Sequence, residues 1–242
     1  MIEKKERVEV KLSKRPKKVT IIEGFPGFGL VGTIATGFLV EHLKCERIGT
    51  YYFENGPATL AIHECTVVQP IGIFYSKKYN LVIVHAIMSP QGLDWQAADV
   101  ILDLAKQTDA KEIIAVEGVG STEAEESRGF FHSIGSETNY QRMKKAGVSC
   151  LKEGIVVGVT SALMMKSPIP VTAVFAETHT NMPDSKAAAK IVEILDKYLD
   201  LKVSYAPLLK QAEEFEHKLM GMMEKGSQSA EIQKHKAMSY VG

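Results

Sequence analysis

At 242 residues the chain is long enough to bury a sizeable core, and 45% hydrophobic with 24% charged residues excludes a disordered protein. It carries 29 basic and 29 acidic side chains, so the net charge is zero and a duplex-binding surface is disfavoured. Cys45, Cys65 and Cys150 are widely spaced, odd in number and without a CxxC pair, which suits a reducing compartment and offers no zinc site.

The N-terminus is charged and lacks the apolar core of a signal peptide, and no apolar run reaches the roughly 18 residues of a membrane span. A soluble, cytoplasmic protein is expected. Val8, Val10 and Leu12 alternate with Glu9 and Lys11, which predicts a half-exposed strand over 7–12. A basic turn follows at residues 14–18, then a β-branched strand over 18–23. Next comes Gly24-Phe25-Pro26-Gly27-Phe28-Gly29-Leu30-Val31-Gly32, which opens an apolar helix over 30–43. Four glycines and a proline in this stretch imply a tight strand-to-helix turn with unusual dihedrals or close backbone approach.

A strand over 48–53 comes next, and three more are predicted in quick succession over 58–63, 66–75 and 80–86. Their short separators suit antiparallel hairpins, whereas parallel strands need a longer crossover. Asp94 is read as the cap of a helix carrying Trp95, Ala98, Ile101, Leu102 and Ala105 on one face. A strand over 111–117 precedes a long polar segment, 118–139, without periodicity. A short helix over 140–146, a strand over 155–159, a helical piece over 161–166 and a buried strand over 171–176 complete this part. Pro183-Asp184 then opens a helix with Ala188, Ile191, Val192, Leu195 and Leu199 on one face.

The alternation implies a three-layer α/β/α sandwich with a mixed, mainly parallel sheet in a domain spanning 1–204. Leu208, Ala212, Phe215, Leu219 and Met222 form a short heptad seam in a helix over 205–225. That seam either packs on the parent domain or meets a partner helix. Residues 226–242 read as a flexible tail, whose Tyr240, Val241 and Gly242 place an aromatic near the free carboxylate as a docking handle.

Two constellations suggest chemistry. Gly27, Gly29 and Gly32 spell G-x-G-x-x-G, with Glu54 at the end of the next predicted strand in the place of a ribose ligand. The predicted hairpins and the bulky Phe25 and Phe28 count against that reading, and a purely structural turn is preferred. His179 with Glu177 or Asp184 has the composition of a general base with its orienting carboxylate. The simpler reading makes Asp184 a helix cap and His179 a loop histidine, since no nucleophile motif accompanies them. The remaining histidines show no metal-ligand spacing, and the acidic loop Glu123, Glu125 and Glu126 with Ser121 and Ser127 is read as solvated.

The glycine stretch 24–32 and the passage Ala176-Glu177-Thr178-His179 through Pro183-Asp184-Ser185-Lys186-Ala187-Ala188-Ala189 together resemble the proteasome assembly chaperone 2 family, most closely its archaeal members. The resemblance covers roughly residues 8–200. It implies an α/β fold similar to nucleoside phosphorylases, used without catalysis or cofactor to bind proteasome core subunits as an oligomer. Some members end in a hydrophobic–tyrosine–any motif that inserts between α-subunits. Here Tyr240 stands third from the end and Ser239 precedes it, so the tail departs from that pattern.

The expected function is an ATP-independent, non-enzymatic chaperone-like protein binding proteasome α-subunits or the core particle as a homo-oligomer. Its partner contacts are assigned to Leu208, Phe215, Leu219, Met222, Tyr240, Val241 and Gly242. The turn residues Gly24, Pro26, Gly27, Gly29 and Gly32 are structural or form a ligand loop. The alternative is a nucleotide-binding enzyme, ligase-like or phosphorylase-like, that uses this turn.

Overall fold

The structure is a computed structural model that describes residues 10–56, 58, 60–63, 65–88, 92–120, 127–178, 182–208, 210 and 220–221. The acidic loop at 121–126, His179, and Phe215, Leu219, Met222, Tyr240, Val241 and Gly242 lie outside the described residues.

Strand β1 (Thr20–Gly24) is central because Ile21 and Ile22 are apolar on both faces, as a strand covered on both sides requires. It leads through a 3-10 turn (Phe28–Leu30) into α1 (Val31–His42) and then β2 (Glu46–Tyr51). A small ribbon, β3 (Ala61–His63) and β4 (Thr66–Val68), stands apart from the main sheet. The chain continues with β5 (Ile71–Ser76), β6 (Leu81–Ala86), α2 (Asp94–Thr108) and β7 (Glu112–Gly120). After it come β8 (Gly129–Ile134), α3 (Glu137–Lys145), β9 (Ser149–Cys150), α4 (Gly158–Lys166), β10 (Val171–Thr178) and α5 (Ser185–Leu199).

The eight-stranded sheet runs β2-β5-β6-β1-β7-β10-β8-β9. The central pairs β6·β1, β1·β7 and β7·β10 are parallel, while β2·β5, β5·β6 and β10·β8 are antiparallel. Both hairpins expected from the short separators are present, β3–β4 and β5–β6. Gln69 and Pro70 break the single strand expected over 66–75 into β4 and β5, because proline removes a ladder donor.

One core lies between the sheet and α1, α3 and α5, built on Ile22, Ile34, Val116, Phe131, Val174, Ile191 and Leu195. The other lies beneath α2 and α4, built on Ile21, Ile73, Val82, Ile101, Ile113 and Leu163. This is the mixed, mainly parallel three-layer sandwich expected. Helix α5 owes its start to Asp184, whose carboxylate accepts the Ala187 N–H at 2.9 Å, a cap worth about 1 kcal/mol.

Four local expectations are corrected. Asp94 is the first residue of α2 and caps nothing; Leu93 holds the cap position, and Trp95 is exposed instead of joining the buried face. The strand expected over 155–159 is absent: Ile155 is exposed, and α4 begins at Gly158 with φ +76. The segment read as aperiodic contains β8, whose Phe131 is buried under α3 and α5. Among residues 10–12, Leu12 makes only an isolated bridge to Gly49. Leu208 is buried in the α1–α5 core, so this part of the heptad seam faces the parent domain.

Candidate functional site

The central strands β6, β1, β7 and β10 end together at one edge of the sheet. From there α1 leaves toward one layer and α2 toward the other, so the switch point of the sheet lies between β1 and β6. Open α/β sheets bind their ligands at this kind of switch point.

The glycine turn covers it, and its glycines have separate reasons. A Cβ on Gly24 would lie 2.3 Å from the Gly32 carbonyl oxygen, and one on Gly32 would lie 2.5 Å from that of Val116. These two glycines let α1 settle directly on β1 and β7. Gly29 has φ +60, and a Cβ there would also meet Thr178 Oγ1 at 2.6 Å. Gly27 has φ −140 and is solvent-exposed; a Cβ would make only ordinary contact with Glu117, at 3.5 Å. Pro26 is half-buried between them.

The two sequence passages that carry the family resemblance meet here. The Asp184 N–H donates to the Gly29 carbonyl at 2.8 Å, so the turn is tied to the N-terminus of α5. Gly27→Ala should therefore be near neutral. Gly29→Ala should lose at least about 1 kcal/mol, since a left-handed dihedral and a side-chain clash add. Urea unfolding of the two variants distinguishes them, and equal losses would contradict this account of the turn.

Three central strands carry a glutamate in their C-terminal halves, toward this edge: Glu23 on β1, Glu117 on β7 and Glu177 on β10. Glu177 is held by Arg128, whose Nε and an Nη donate to its two oxygens at 2.7 and 2.8 Å. Glu23 pairs in register with Ala115, so Glu117 two residues on points to the same face, toward α4. Glu23 is 1% exposed, and burial together with the neighbouring Glu117 charge pushes its pKa up to about 8, against the pull of a Phe25 backbone hydrogen bond. Burial raises Glu117 to about 7, opposed by a hydrogen bond with Thr160 on α4. Across the sheet, burial pushes His85 down to about 4. Thr36 donates to the Gly32 carbonyl at 2.8 Å, so the 3.0 Å contact with His85 is best made by a donating Nδ1–H. Thr33 donates to the Ala86 carbonyl at 3.0 Å and pins α1 to β6.

Of the alternative catalytic group, His179 lies outside the described residues and the two acids have structural partners. Asp184 is occupied as a helix cap and Glu177 by Arg128. The ribose role for Glu54 lacks its topology: β5 and β6 lie between β2 and β1, so the strand before Glu54 is three strand spacings, roughly 14 Å, from β1 instead of beside it. Among the described residues no group of three or more His, Cys, Asp or Glu side chains could hold a metal, and no helix is long and apolar enough to cross a membrane. Sequence reasoning missed Glu23, Glu117, His85 and Arg128. The available signal was the repeated pattern of an apolar run closed by Glu-Gly, at Ile22-Glu23-Gly24 and Val116-Glu117-Gly118.

Phe28 (49% exposed), Trp95 (53%), Ile155 (93%), Val157 and Met182 surround the same edge, each in the connection that follows β1, precedes or opens a helix, or follows β10. The parallel central strands, the helices on both faces and the packed glycine turn define a mixed, mainly parallel three-layer α/β protein. A family model described as the PAC2 family matches residues 21–223, and the chain belongs to that family.

The crystal structure of Pyrococcus furiosus PbaA, described as an archaeal homolog of proteasome-assembly chaperone, is 31% identical, with 92% of this chain and 100% of that one covered at a TM-score of 0.78. A Thermoplasma acidophilum protein of unknown function shares the fold at a TM-score of 0.81 and 18% identity, covering 92% of this chain and 93% of that one. An uncharacterized protein of Methanocaldococcus jannaschii is 25% identical over 84% of this chain and 85% of its own length.

Proposed function

We propose that the protein is a non-enzymatic, ATP-independent, proteasome-assembly chaperone-like protein of the cytoplasm that binds proteasome α-subunits as a homo-oligomer. The observation that carries this is the full-length similarity to PbaA at 31% identity, within a shared family. The apolar rim at the strand ends supports it, because exposed apolar patches on such folds mark contact surfaces. Phe215, Leu219 and Met222, with the terminal Tyr240, Val241 and Gly242, supply the further contacts proposed for the partner. Several copies of a weakly docking tail bind a ring far better together than one does, through effective concentration.

Pull-down of recombinant α-subunits by the full-length chain tests the reading. Retention of α-subunits is expected, and their complete absence from the eluate contradicts it. Light scattering of the full chain and of a chain ending at Ser204 reports the oligomer. A multimer that shrinks on truncation is expected, and a monomer in both cases refutes self-association.

A further inference from the structure

We propose that the buried acid pair Glu23 and Glu117, beneath the glycine turn, binds a small organic monocation, a primary ammonium or guanidinium group whose N–H donors join the two carboxyl groups. The other acids buried in this sheet each have their partners. Glu112 Oε1 accepts from Thr172 at 2.6 Å and from Tyr198 at 2.8 Å, with the Arg142 charge facing it. Glu177 takes the fork of Arg128. Glu23 Oε1 and Glu117 Oε2, by contrast, are buried without a hydrogen-bond partner among the described residues.

The groups that do reach this pair are the Phe25 backbone N–H and the Thr160 hydroxyl, and no ion pair among the described residues includes either glutamate. A buried polar oxygen without a partner costs about 1–3 kcal/mol, more if charged, so a donor that completes both would be held firmly. Its charge follows from the company: two carboxyl groups disfavour an anion, and a cation, unlike a neutral donor, lets both ionise together. Two carboxyl groups and one hydroxyl fall short of a calcium cage of six to eight oxygens. Glu117 also gives access, since it is partly exposed and lies under the solvent-facing Gly27, which has no side chain to cover it.

This inference stands apart from the proposed function. Titration calorimetry of the full-length chain with butylammonium and with methylguanidinium tests it, with butanol and tetramethylammonium as controls that lack the charge or the N–H donors. One-to-one binding by at least one cation is expected, with a raised Tm and none from the controls. Glu23→Gln and Glu117→Gln should each weaken it at least tenfold, and Gly27→Leu, which leaves both acids in place, should block it. Cooperative unfolding of each variant confirms that it is folded.

Nα-acetyl-lysine amide separates two sources of the same chemistry. Affinity equal to that of butylammonium points to a free amine, and affinity at least tenfold tighter points to a peptide side chain. No binding at millimolar concentration, or binding unchanged in both Gln variants, overturns the proposal and leaves a water alone between the carboxyl groups.

Discussion

Gly32→Ala will destabilise the protein by about 2–3 kcal/mol, although alanine is the better helix former. Inside α1 the change should gain about 1 kcal/mol from propensity alone. The added Cβ, however, would stand 2.5 Å from the Val116 carbonyl oxygen and 3.1 Å from Gly24 Cα, and both obstacles are backbone. No rotamer relieves such a contact, so α1 must lift from β1 and β7 and loosen the core around Ile34, Val116 and Leu39. Urea unfolding should show a lower midpoint with an unchanged slope. A variant as stable as the parent would mean that the turn is not packed as described.

The second large effect is on pH dependence. An unfolded glutamate ionises above about pH 4.5, whereas folded Glu23 keeps its proton to about 8. Between those values the folded state binds more protons than the unfolded one, so this group makes stability fall as pH rises, by about 1.4 kcal/mol per unit. Glu117 acts in the same direction up to about 7. His85 acts oppositely. Its folded pKa of about 4 lies below the ordinary 6.5, so its contribution is lost as pH falls through that window. Glu23→Gln removes the largest of these dependences. The variant should match the parent near pH 4 and exceed it by on the order of 4 kcal/mol above pH 8. Parallel stability–pH curves for the two proteins would contradict the burial of an ionisable Glu23.

The layers of the fold were legible because periodicity records burial. Helix α5 alternates its faces at helical spacing, β1 and β10 are apolar on both sides, and the β5–β6 separator is too short for a crossover. Elements that depend on distant partners were not. β8 is a strand because β10 and β9 offer it their edges, and Ile155 is β-branched yet exposed and in no strand of the described residues. The glycine turn was found, but the reason for each glycine was not. Gly27 has an ordinary extended dihedral, while Gly29 carries the positive one, and sequence cannot tell such neighbours apart. The acid pair was invisible for a related reason. Glu23 and Glu117 are far apart in the chain, and only the register of β1 against β7 sets them on one face.

Mass photometry of the full-length protein mixed with recombinant proteasome α-subunits tests their recognition most directly. A new species whose mass combines copies of both proteins is expected, with a shift in the distribution of α-subunit assemblies. Two unshifted populations over the whole range of mixing ratios would contradict it.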